Sequence, residues 1–188
     1  MKKSIRMLFV AMAFHFNHNA EAQNQHYFEI ENSNEQTILK VEKESNKEGW
    51  TLIKLNEDKY LLNYSNPEYT LWMNLLCKNS DKKPSYLIEY ASKYRDGDFA
   101  GIDFASSSDT ESKSIEFIVD GKNFKNPFIE HTLMNDFIAS LKNGTKLDLK
   151  VYHYEFDVET ETSKLVFNRE MSFKLNHSEL LDEKTNCN

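Results

Sequence analysis

The run from Ile115 to Phe156 constrains the fold more than any other part of the chain, because it carries strand, turn, helix, stop and strand signals without a break. Ile115, Phe117 and Val119 occupy every second position, the spacing of a half-buried strand. Asp120-Gly121 supplies a hairpin turn, and the second arm has to be brief because Asn126-Pro127 follows. Leu133, Met134, Phe137, Ile138 and Leu141 then form one apolar stripe, which predicts a helix over about 132–142. Lys142 suits the negative end of its dipole, and Gly144 is expected in the left-handed conformation just beyond it. Leu147, Leu149 and Val151 resume the alternation.

Elsewhere the pattern is strand after strand. Tyr27–Glu31, Ile38–Glu42, Trp50–Leu55 and Tyr60–Tyr64 read as short alternating segments separated by polar clusters, an antiparallel meander with no helix in its crossovers. Leu71, Met73, Leu75 and Cys77 share one side of the next strand; 86–90 and 99–104 read as two more. Lys146–Phe156 and Lys164–Leu175 are long strands joined by an acidic loop, with Leu165, Phe167, Met171, Phe173 and Leu175 expected on one core face that Arg169 interrupts. Asn176 with Glu179 resembles a capping box for a short final helix. The expected fold is mainly β: an antiparallel β-sandwich with one packed helix, about 132–142, and a short C-terminal helix.

At the N-terminus, Lys2, Lys3 and Arg6 precede an apolar run, and Ala20-Glu21-Ala22 has small residues where signal peptidase needs them. Residues 1–22 are read as a signal peptide and 23–188 as one β-rich exported domain. The apolar run is shorter than the roughly 20 residues that span a bilayer, so no integral membrane segment is expected after cleavage. The net charge of −7 becomes about −9 without the presequence. Lys and Arg are interspersed with Asp and Glu, which disfavours nucleic acid and anionic membrane as partners. The short Lys-Lys presequence points to a bacterial chain, periplasmic or secreted. In that oxidising setting a Cys77–Cys187 bridge is favoured over two free thiols.

Motifs that carry chemistry are sparse. His26, His131, His153 and His177 stand at no metal-binding spacing, and surface or cap roles are expected for them. Asp96-Gly97-Asp98 with Asp103 lacks the ligand progression of a calcium loop and reads as a turn. Ser80 and Lys83 spell S-x-x-K in a charged loop rather than at a helix start, and no G-x-S-x-G or phosphate-binding glycine loop occurs. No cofactor and no metal is expected, and no catalytic residue is assigned. The tyrosines, including Tyr60, Tyr69, Tyr86 and Tyr90, are expected to pack across strands. Tyr152, Tyr154 and Phe156 differ, because they alternate on the face opposite Leu147, Leu149 and Val151; with His153 between them they form the candidate binding face.

From Phe137 the order F-I-A-S-L-K-N-G-T-K-L-D-L-K-V, then Met171-Ser172-Phe173-Lys174-Leu175 and Ser178-Glu179-Leu180-Leu181, resembles the C-terminal part of exported bacterial proteins of the invasion-associated locus B type. The resemblance implies a small envelope β-sandwich without established enzymatic chemistry and transfers no functional residue. The expected function is therefore non-catalytic binding of a protein or cell-envelope component through an exposed sheet face. Two alternatives stay open: a hydrolase-type enzyme with a site around His153, and an inhibitor or immunity protein against a secreted toxin.

Overall fold

The computed structural model describes residues 25–91, 103–109 and 113–187. The signal peptide expected over 1–22, the turn expected at Asp96-Gly97-Asp98 and the first part of the strand expected over 99–104 lie outside them. Tyr27–Ile30 (β1) leads into helix α1, Glu35–Glu44, and then the meander Trp50–Leu55 (β2), Asp58–Asn63 (β3), Tyr69–Asn74 (β4) and Ser85–Tyr90 (β5). Asp103–Ser106 (β6), Lys113–Val119 (β7) and Lys122–Asn123 (β8) follow, before helix α2, Met134–Asn143, and the long pair Lys146–Asp157 (β9) and Thr162–Lys174 (β10). Strands β1 to β6 form one sheet in sequence order; β10-β9-β7-β8 form the second.

The sheets face each other across a shared core. Leu71, Met73, Tyr86 and Ile88 come from the first, and Phe117, Leu149, Met171 and Phe173 from the second. Helix α2 adds Phe137 and Leu141, both fully buried, and Phe137 meets the rings of Phe117, Phe124 and Phe128 at centroid distances of 5.5, 5.4 and 6.1 Å. The apolar stripe read from the sequence thus faces inward. A 3₁₀ turn over His131–Leu133 precedes the helix. Asp120 and Gly121, both at positive φ, make the expected β7–β8 turn. Cys77 and Cys187 form a disulfide with Cα atoms 5.3 Å apart, although β4 ends at Asn74 and Cys77 pairs only by a single bridge to Thr185.

Four expectations need correction. Ile38–Glu42 is helix, not strand. Asn34 caps α1 by accepting from the Thr37 N–H at 2.9 Å, and Ile38 and Val41 stand one helical turn apart. Val41 is buried with Phe28, Ile53, Leu62 and Tyr64 on the back of the first sheet, which contributes about 2 kcal/mol. Because α1 provides the crossover, β1 pairs parallel to β2, and the opening segment is not a pure antiparallel meander.

Gly144 is extended, at φ −85° and ψ 170°. Glycine is needed there for space: a Cβ would lie 2.6 Å from Val119 Cγ1 and 2.8 Å from the Ser140 carbonyl oxygen. At the final turn, Asn176 does not cap a helix. His177, at φ 61°, precedes a 3₁₀ segment Ser178–Asp182 without a side-chain cap, while the Asn176 backbone bridges to Gly49.

The fourth correction concerns β10. Leu165 and Phe167 do not share a face with Met171 and Phe173. Phe167 pairs with Tyr152 and Arg169 with Val151, so Asn168 is an extra residue in a bulge. A one-residue shift sends every side chain beyond it to the opposite face.

Candidate functional site

The bulge at Asn168 decides what the β9–β10 hairpin displays. Before it in space, Met171 and Phe173 oppose Leu149 and Leu147 in the core; beyond it, Phe167 opposes Tyr152 and Leu165 opposes Tyr154 on the outer face. Opposed residues in an antiparallel ladder point to the same side. The hairpin therefore presents Tyr152, Tyr154, Phe156, Leu165 and Phe167 together. Tyr154 is 47 % exposed, Phe156 63 %, Leu165 48 % and Phe167 53 %. Tyr152 is half-buried, with its ring edge-on to Phe167 at 5.8 Å. Its hydroxyl donates to Glu116 at 3.3 Å, and partial burial together with that carboxylate holds its phenol above the ordinary value.

Arg169 closes the core where the hairpin departs. From the core side, its guanidinium donates to the Tyr69 hydroxyl and stacks over the Phe104 ring at 4.9 Å. The arginine thus reaches the first sheet and caps the space between the layers. Past Lys113, which pairs with His153, the described residues of β7 end, and among the described residues the hairpin continues as a two-stranded arm. At its tip Asp157 accepts the Glu159 and Thr160 backbone N–H groups at 3.0 and 3.2 Å, fixing the turn. Lys164, donating to Asp157 at 3.0 Å, is the main cause of that carboxyl's lowered pKa. Glu155, Asp157, Glu159 and Glu161 crowd this end of the arm.

Of the residues singled out in the sequence, Tyr152, Tyr154 and Phe156 lie on one surface and His153 lies on the other. His153 is hydrogen-bonded to Glu155 Oε1 at 2.8 Å and to Asn168 Nδ2 at 3.3 Å. Both partners are exposed side chains of the same hairpin. Ser80 and Lys83 lie in an exposed turn. Leu165 and Phe167 escaped sequence reasoning as surface residues because simple alternation counted them as core. The sequence carries no plain signal for the shift: Arg169 stays on the core side opposite Val151, as alternation from Met171 assigns it, and the extra residue is the neighbouring Asn168.

A separate open groove of about 730 Å³ runs over the back of the first sheet, walled by Tyr60, Trp72, Leu87 and Ile129. Trp72 Nε1 donates to Glu89 at 2.8 Å, and Tyr60 packs edge-on against the indole at 6.1 Å. These walls satisfy one another. Tyr86, at its inner side, is core: burial pushes its phenol up to about 12.

Tyrosines 64, 69 and 86 are buried as cross-strand packing predicts. His26 and His177, far apart in sequence, are stacked with ring centroids 4.2 Å apart and planes within 7° of parallel. No helix among the described residues is long and apolar enough to cross a membrane. No protein-family model, curated protein or solved structure matches the chain.

Proposed function

We propose that this chain is an exported, non-catalytic binding protein that docks another protein on the outer face of its β9–β10 hairpin. The observation that supports this reading is the continuous apolar surface of Tyr152, Tyr154, Phe156, Leu165 and Phe167, assembled by a bulge instead of being folded inward. An exposed patch of large apolar side chains on an arm that leaves the core is a feature of interaction surfaces. Aromatic side chains supply much contact area at little entropic cost, which suits anchoring.

The acidic tip selects the partner's character. Glu159 and Glu161, in the turn that ends the patch, favour a protein surface that is apolar at its centre and rimmed by Lys and Arg. They oppose an anionic lipid surface. Export is supported by the presequence pattern and by the Cys77–Cys187 disulfide, which persists in an oxidising compartment such as the periplasm or the cell exterior.

A comparison of the wild-type chain with the double variant Phe156→Ser/Phe167→Ser tests the reading. Both replaced residues are exposed, so the fold should tolerate the change. The wild type is expected to co-purify with a defined protein from its native compartment, and the equally folded variant to lose it. Retention of the same partner by the variant excludes this face as the binding site.

A further inference from the structure

We propose that His26, His177 and Glu179 form a binding site for a divalent transition cation of the Zn²⁺ type. One donor atom from each lies within 4.8 Å of the other two, the only such set of three His, Cys, Asp or Glu side chains among the described residues. His177 Nδ1 and Glu179 Oε1 already stand 3.3 Å apart. Two ligands at about 2.0–2.1 Å from a tetrahedral metal are separated by about 3.3 Å. Bringing in a nitrogen of His26 takes a shift of up to roughly 1.5 Å and a rotamer change that tilts its ring out of the parallel stack, so that its in-plane lone pair meets the metal.

The backbone converges on this point from three parts of the chain. His26 immediately precedes β1, and its carbonyl accepts from the Leu52 N–H of β2 at 2.8 Å. His177 and Glu179 follow β10, held against β2 by the Trp50 N–H bond to the Asn176 carbonyl at 2.9 Å. Gly49 allows that approach, since a Cβ there would lie 2.0 Å from the Asn176 oxygen. The left-handed backbone of His177, at φ 61°, turns the chain between the bridge and the Glu179 segment.

Asn46 supplies the outer contact. Its Oδ1 accepts from the Glu48 N–H at 2.7 Å, which leaves its Nδ2 facing His177 Nε2 at 2.6 Å. Without metal, Nε2 therefore accepts and Nδ1 carries the proton toward Glu179. When Nδ1 binds the cation, the imidazole hydrogen moves to Nε2, and the Asn46 amide turns so that its oxygen accepts it. The Glu48 N–H, on an exposed residue, then bonds water. No net proton is lost from His177 in this exchange. Two imidazoles and a carboxylate suit Zn²⁺, Cu²⁺ or Ni²⁺ and not the oxygen-seeking Ca²⁺ or Mg²⁺. The site, distinct from the hairpin face, would clamp the β1 segment to the chain that follows β10.

The test is titration of the untagged chain, disulfide intact, with Zn²⁺ in metal-free buffer, read by calorimetry and by thermal melting. One site of micromolar affinity and a rise in melting temperature are expected. His26→Ala, His177→Asn and Glu179→Gln should each weaken binding at least tenfold; asparagine tolerates the left-handed backbone at 177. Asn46→Asp, which accepts from both His177 Nε2–H and the Glu48 N–H, should tighten binding about tenfold. His153→Ala, on the remote hairpin, should change nothing. Absence of Zn²⁺ binding at about 100 µM, or binding unaffected by the His26 and His177 variants in chains whose melting confirms folding, overturns the proposal.

Discussion

Tyr152 and Phe167 meet edge to face with ring centroids 5.8 Å apart, directly opposed in the ladder on the outer side of the bulge at Asn168. That pairing marks where a core strand pair becomes an exposed arm. Deleting Asn168 should remove the bulge but leave Arg169 opposite Val151 and Phe167 opposite Tyr152, so that the apolar face stays outward while the hairpin loses its local bend. The deletion variant should keep the same exposed apolar residues and, losing the hydrogen bond from Arg169 Nε to Asn168 Oδ1 at 2.8 Å, should lose only about 1 kcal/mol of stability, measured as a slightly lowered urea midpoint.

The aromatic cluster around α2 makes a sharper stability prediction. Phe137 is fully buried against three other phenylalanine rings. Phe137→Ala should cost about 3–5 kcal/mol, whereas Phe156→Ala, with that ring 63 % exposed, should stay within about 0.5 kcal/mol of wild type. Chemical denaturation of both variants checks the contrast.

How much of this was legible in the sequence depends on which rule governed each segment. Helix α2 and β9 follow long apolar periodicities, so Phe137, Leu141, Leu147 and Leu149 could be assigned inward from spacing alone. Helix α1 has only Ile38, Leu39 and Val41 as apolar content, too short a run to separate a helix from a strand; the informative residue was Asn34, through its cap on Thr37. The outer face was half legible. Tyr152, Tyr154 and Phe156 follow from alternation in β9, but Leu165 and Phe167 join them through a bulge, which a period-two reading conceals. The His26–His177 stack was invisible, because tertiary approach and no local spacing creates it.

Gly49 should not tolerate a side chain. A Cβ there would lie 2.0 Å from the Asn176 carbonyl oxygen, so Gly49→Ala must part β2 from the C-terminal segment at a cost of about 1–3 kcal/mol or more. Thermal melting measures the loss, and amide exchange at Trp50, whose N–H bonds Asn176, should accelerate.

Asp120 links stability to pH. Its carboxylate accepts from the Thr145 N–H at 2.9 Å, the Thr145 hydroxyl at 2.9 Å and the Lys146 N–H at 3.0 Å; these contacts, those to Thr145 foremost, lower its pKa. A carboxyl lowered on folding stabilises the protein above its unfolded value near ~3.9 and loses that contribution as pH falls through the folded value below it. Wild type should exceed Asp120→Asn in urea midpoint by a constant margin from about pH 5 to 7, with the gap closing below about pH 4.

The Cys77–Cys187 bridge spans 110 residues. Chain entropy assigns such a loop about 4–5 kcal/mol. Reduction, or the paired Cys77→Ala/Cys187→Ala replacement, should lower the denaturation midpoint while leaving the hairpin face able to bind.

The most direct test of the binding account places a photo-activatable phenylalanine analogue at Phe156 or Phe167, and at Leu39 on helix α1 as an exposed control, in the cells that express the chain. Discrete adducts to one partner protein from positions 156 and 167, and none from 39, are the predicted result. No adduct from the hairpin positions, the same adduct from Leu39, or an adduct consisting only of a second copy of this chain would contradict the account.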